Sequence, residues 1–107
     1  MFKTKNNYRG GQFDYENESG SCVAHGDFRF AESSIESVNV QGVYMTEDPH
    51  DFVAQRNSQG GVSIHNVNDL DVLENIAKEV TLIIADVEAL APNSNDSNED
   101  SNDSNED

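Results

Sequence analysis

The chain has 107 residues, of which 21 are Asp or Glu and 6 are Lys or Arg, a formal charge of −15. That balance excludes attachment to nucleic acid or anionic lipid through a basic surface, because such binding neutralises phosphates with Lys and Arg. Hydrophobic residues make up 35%, against about 45–50% in an ordinary soluble domain, so the pattern predicts one small domain with part of the chain left unpacked.

Residues 1–11 hold Lys3, Lys5 and Arg9, half of the basic side chains, and no continuous apolar stretch. They read as an extended, slightly basic segment rather than a signal peptide. A single α+β domain is expected over residues 12–92. It opens with a short strand in which Phe13 and Tyr15 alternate with Asp14 and Glu16, followed by turn residues from Asn17 to Ser21. From Cys22 the alternation resumes, with Cys22, Ala24, Phe28 and Phe30 on one face and His25, Asp27 and Arg29 on the other; Gly26 reads as a bulge position. Ile35 to Met45 is the next strand, with Val38 and Val40 in phase and a second bulge expected after Gly42, where the phase shifts to Val43 and Met45. Glu47 to Asp51 forms a loop. Phe52 to Arg56 and Val62 to His65 then flank Asn57–Gly61 as a hairpin whose two glycines suit positive φ.

The strongest periodicity comes last. Leu73, Ile76, Val80, Ile83, Val87 and Leu90 recur at steps of three and four, which aligns them on one stripe of a long helix. Asn68 is the expected N-cap, Asp69 and Asp71 favour the positive end of the helix dipole, and Pro92 stops the helix. The run Val80 to Ile84 is β-branched enough to leave a strand open as the alternative. Beyond it, Asn93 to Asp107 contains only Asn, Ser, Asp and Glu, and its last fourteen residues are one heptad written twice. With no apolar side chain it reads as a disordered acidic tail. The expected architecture is therefore a small antiparallel sheet of four to five strands packed on one C-terminal helix, then the tail.

Catalytic and metal motifs are weak throughout. The single cysteine, Cys22, excludes an intramolecular disulfide and a thiolate zinc cage, and its place on an apolar face makes it a core residue. His50 among Glu47, Asp48 and Asp51 matches no metal loop and reads as a solvated acidic turn. Asn17-Glu18-Ser19 fits a glycosylation acceptor by spacing alone. Neither phosphate-binding glycine loop nor nucleophile elbow is present. The reading is of a non-enzymatic cytoplasmic protein without cofactor or metal.

What distinguishes the chain is charge. Between Gly10 and Pro92 fifteen acids face only Arg29, Arg56 and Lys78, so the folded part is itself strongly acidic. Carboxylates held on a rigid domain imitate nucleic-acid phosphates, since a groove of Lys and Arg responds to negative charge at a set spacing. In size and charge the chain resembles the small acidic inhibitors that bacteriophages and mobile elements direct against restriction or CRISPR effectors. That resemblance implies a host nucleic-acid-binding protein with a basic groove as partner. The expected contact residues are Glu47, Asp48 and Asp51, the densest acids outside the tail, then Glu74, Glu79 and Asp86 on the helix. A second class remains open: an oligomeric accessory protein, virion-associated or antitoxin-like, whose helix forms the interface. Leu82 and Ile84 fall off the main stripe and point to such a surface, in the simplest case a homodimer.

Overall fold

A computed structural model describes residues 1–91; the acidic segment 93–107 lies outside them. The chain runs β1 (Phe2–Asn7), β2 (Gly10–Glu16), β3 (Cys22–Ala31), β4 (Ser34–Met45), β5 (Pro49–Arg56), β6 (Val62–His65) and α1 (Leu70–Leu90). All six strands form one antiparallel sheet in the order β1-β2-β3-β4-β5-β6. Each strand therefore pairs with its neighbour in sequence, because every connection is a short turn. Three turns are closed by an asparagine side chain, the first by Asn7, whose Oδ1 accepts from Arg9 N–H at 2.8 Å. Asn57 Oδ1 accepts from the backbone N–H of Gln59 and of Gly61, each at 2.9 Å, while Gly60 takes φ 93°. Asn17 Oδ1 accepts from Cys22 N–H at 3.0 Å, with Gly20 at φ 78°.

The helix covers one face of this sheet, lying across β3, β4 and β5. Its N-cap is Asp69, whose carboxylate accepts from the N–H groups of Asp71 and Val72 at 2.9 and 3.3 Å, one residue later than Asn68. The stripe lies almost where the periodicity puts it: Val72, Ile76, Val80, Ile83 and Val87 are buried, and Val80 to Ile84 is helical. From the sheet, Phe13, Tyr15, Cys22, Ala24, Phe28, Phe30, Ile35, Val38, Val40, Phe52 and Ala54 complete the core. Alternation explains the set, since side chains two apart on a strand share a face. Phe2 extends it to the edge by stacking on Phe13, with ring centroids 5.5 Å apart.

Strand β5 begins at Pro49, inside the expected Glu47–Asp51 loop, because His50 and Asp51 pair with Tyr44 and Val43; three further details depart from the sequence reading. Residues 2–7 pair along β2 as a sixth strand, where Lys3 and Lys5 charge the exposed edge and discourage further pairing. The pattern was hard to see because only Phe2 of this strand packs on the core. Second, the bulge lies between Arg29 and Phe30, opposite the unpaired Glu36, and not after Gly42. Val43 and Met45 change phase relative to Val40 because they face away from the helix, so their strand keeps its register. Third, Gly26 is paired in register with Phe13 and Val40. A Cβ there would stand 1.8 Å from the Asn39 carbonyl oxygen, so the glycine serves close strand approach rather than a bulge.

Candidate protein-binding surface

In a sheet of consecutive hairpins, alternate turns return to the same end. The β2–β3 and β4–β5 turns are thus neighbours, joined by a bond from Met45 N–H to the Ser21 carbonyl at 2.7 Å. The loop from β6 into α1 arrives at this end too: Pro49, His50 and Asp51 form one cleft with Asn66, Asn68 and Asp69. This geometry gathers Glu16, Glu18, Glu47, Asp48, Asp51, Asp69 and Asp71, seven exposed acids, at the end where β1 also starts with Met1 and Lys3. Arg9, Arg29 and Arg56 belong to the opposite end, with Glu32, Glu36 and Glu88. Among the described residues the one ion pair within 4 Å is there, Arg56 with Glu88 at 3.4 Å. The acidic end consequently keeps a net negative field, offset in part by Lys3 and by the Met1 ammonium, which donates to the Glu16 carbonyl.

Of the six acids singled out by sequence, Glu47, Asp48 and Asp51 belong to this end. Glu74 is exposed just beyond the first turn of α1, where the helix enters from the same end. Asp86 is exposed but twelve residues further on, about 18 Å along the axis at 1.5 Å per residue. Glu79 is engaged elsewhere. Half-buried, it accepts a 2.6 Å hydrogen bond from the Tyr15 hydroxyl and a 3.1 Å bond from Asn17 Nδ2. It links the helix to β2 and to the β2–β3 turn, so its carboxylate is not offered to a partner as the others are. Burial, and then the bond to Glu79, raise the Tyr15 phenol above the ordinary tyrosine range. Burial likewise pushes the neighbouring Cys22 thiol up to about 12, with Glu79 adding to the effect. Cys22 is a core side chain with its thiol held protonated. Asn17, the glycosylation match, spends its side chain on Ser21, Cys22 and Glu79 inside the fold.

Compared with known proteins, the chain matches no family model, no curated protein and no solved structure. Its chemistry therefore has to be read from its own surface. Among the described residues no group of three His, Cys, Asp or Glu side chains is placed to share a metal ion, and no helix is long and apolar enough to cross a membrane.

Sequence reasoning passed over four acids at this end, Glu16, Glu18, Asp69 and Asp71. The signal that would have found them is the even number of strands between the two turns, which needs the strand order rather than local density. It also overrated the helix exterior: Ile84 packs against the core, and Leu82, 55% exposed, stands without it. Among the described residues nothing packs on the sheet face turned away from α1. There Glu16, Val23, Val43 and Asp51 form one row across β2 to β5.

Proposed function

We propose that the protein is a non-enzymatic acidic ligand for a nucleic-acid-binding protein, seated in the basic groove that otherwise holds DNA or RNA, as an inhibitor of a defence nuclease would be. The observation that carries this reading is the gathering of seven carboxylates from separate segments at one end of the sheet, where Lys3 and the N-terminal ammonium are the cations that stand near them. A groove that reads phosphates by charge and spacing has the same reason to accept such a surface. Long-range attraction would speed the encounter and make it fall steeply with salt. Acids serving solubility alone have no need to converge on one pole of the fold.

The test is competition. Purified nucleic-acid-binding proteins with basic grooves, a restriction endonuclease and a CRISPR effector among them, are loaded with a fluorescent nucleic acid and titrated with the full chain at two salt concentrations. Displacement that weakens as salt rises is expected for the true target class. Glu47→Gln, Asp48→Asn and Asp51→Asn together should weaken displacement markedly and flatten its salt slope. A target that holds the nucleic acid and this protein at once would exclude mimicry, and an unchanged affinity in the triple variant would exclude this end of the molecule.

A further inference from the structure

The row that crosses the sheet face opposite α1 at the acidic end does not consist of charge alone. It runs Glu16, Val23, Val43, Asp51, with an acid at each end and two valines between. Four adjacent strands at about 4.8 Å spacing place the two carboxylate-bearing positions about 14 Å apart. Val23 is 52% exposed, and Met45, two residues beyond Val43 on the same face, is 46% exposed. Beside Val23 lies a hollow of about 220 Å3 lined by Met1, Lys3, Asp14, Glu16, Val23 and His25. A solvated sheet face is normally polar, and the remainder of this one is mostly so, with Gln12, His25, Asn39, Gln41 and Gln55 exposed along it and Val53 half-buried among them. The exposed large apolar side chains of this face, Val23 and Met45, are at its acidic end.

We infer that Val23, Val43 and Met45 form the apolar centre of the docking surface, and that the partner segment seated there carries an apolar side chain between cationic ones. This rests on the reading of the acidic end as a protein-binding surface. Charge complementarity selects the occupant. The flanking Glu16 and Asp51 favour Lys or Arg on either side of the anchor, whose aliphatic stems also cover valine and methionine. Protein interfaces have this organisation, a desolvated apolar centre inside a charged rim. A second copy of the chain fits the same surface poorly, because two acidic rims would face each other. Binding at this centre retains affinity in salt that a purely electrostatic contact would lose.

The inference is tested without the target. The full chain, labelled with 15N and with 13C methyl groups, is titrated by NMR with two peptides, one reading Arg-Arg-Leu-Arg-Arg and one with serine replacing the leucine. The leucine peptide should bind about tenfold more tightly, shift the methyl signals of Val23, Val43 and Met45, and keep that advantage when salt is raised. Val23→Thr with Val43→Thr, both shape-conserving on an exposed strand face, should erase the leucine advantage and leave the salt slope alone. Glu16→Gln with Asp51→Asn should flatten the slope and leave the leucine advantage. Equal affinity for the two peptides, or shifts confined to the helix acids or to residues 92–107, would overturn the inference. So would methyl shifts that depend on protein concentration without peptide, which would give the surface to a second copy. Failure of the competition assay with peptide binding intact would instead count against the mimicry reading alone.

Discussion

Replacing Glu79 with alanine should destabilise the fold, although its position on the helix stripe pattern marks it as an outward-facing, near-neutral site. The carboxylate is the partner of the Tyr15 hydroxyl at 2.6 Å and of Asn17 Nδ2 at 3.1 Å. Tyr15 is a buried side chain, so loss of the acceptor leaves a hydroxyl with restricted access to water. A hydrogen bond to a charged group contributes about 1.5–3 kcal/mol. Asn17 keeps Ser21 as a partner at 2.9 Å, so its share is small and a total near 2 kcal/mol is expected. For a domain of this size that lowers Tm by roughly 8–16 °C. Asp86→Ala, exposed and without a side-chain bond, should stay within about 0.5 kcal/mol of wild type. Urea denaturation of the two variants, with Tyr15→Phe and the Tyr15→Phe/Glu79→Ala double variant, completes a cycle whose coupling should exceed about 1 kcal/mol. Equal stabilities for Glu79→Ala and Asp86→Ala, or fully additive losses in the double variant, would refute the link between helix and β2.

Ile76→Ala and Ile83→Ala should each cost about 2–5 kcal/mol in chemical denaturation, since both side chains are fully buried beneath the helix. Gly26→Ala should be at least as damaging as a strand substitution of that size allows, because its Cβ meets backbone and not a yielding side chain; a melt within 2 °C of wild type, a margin of roughly half a kcal/mol for a small domain, would contradict the strand approach described. Cys22, with its thiol pushed up to about 12, should resist thiol reagents at pH 8 until urea opens the fold, and rapid labelling of native protein would place it outside the core. Tyr15 has a folded-state pKa above its unfolded value near 10. Its contribution is therefore complete below about pH 10 and is lost as pH rises beyond it, so the phenolate absorbance of Tyr15 should appear together with alkaline unfolding rather than before it.

The helix and most of the sheet were legible because burial imposes a period: the apolar residues of α1 repeat at 3.6, and those of β2, β3 and β5 repeat at two. Strand β1 escaped for the same reason, since an edge strand with one core contact, Phe2, has little to repeat. Val43 and Met45 misled because the alternation was read for one apolar face, while β4 carries apolar residues on both. At the candidate surface, the Glu47-Asp48-Asp51 cluster was visible as local density. Its joining with Glu16, Glu18, Asp69 and Asp71 was not, because that depends on which turns share an end. The inward turn of Glu79 depends on Tyr15 and Asn17, more than sixty residues away, and no local pattern carries that information.

The order of the elements also sets a timetable for synthesis. Every strand finds its partner in the adjacent stretch of chain, so the sheet can assemble hairpin by hairpin as it emerges from the ribosome. The side chains that cover it come last: Val72, Ile76, Val80, Ile83 and Val87 all belong to the final element. From His65 to Leu90 is twenty-five residues, or roughly 1–5 s at common elongation rates of about 5–20 residues per second. For that interval Phe13, Phe28 and Phe52 face solvent as an open aromatic sheet, the state in which the nascent chain is most exposed to chaperones and to aggregation.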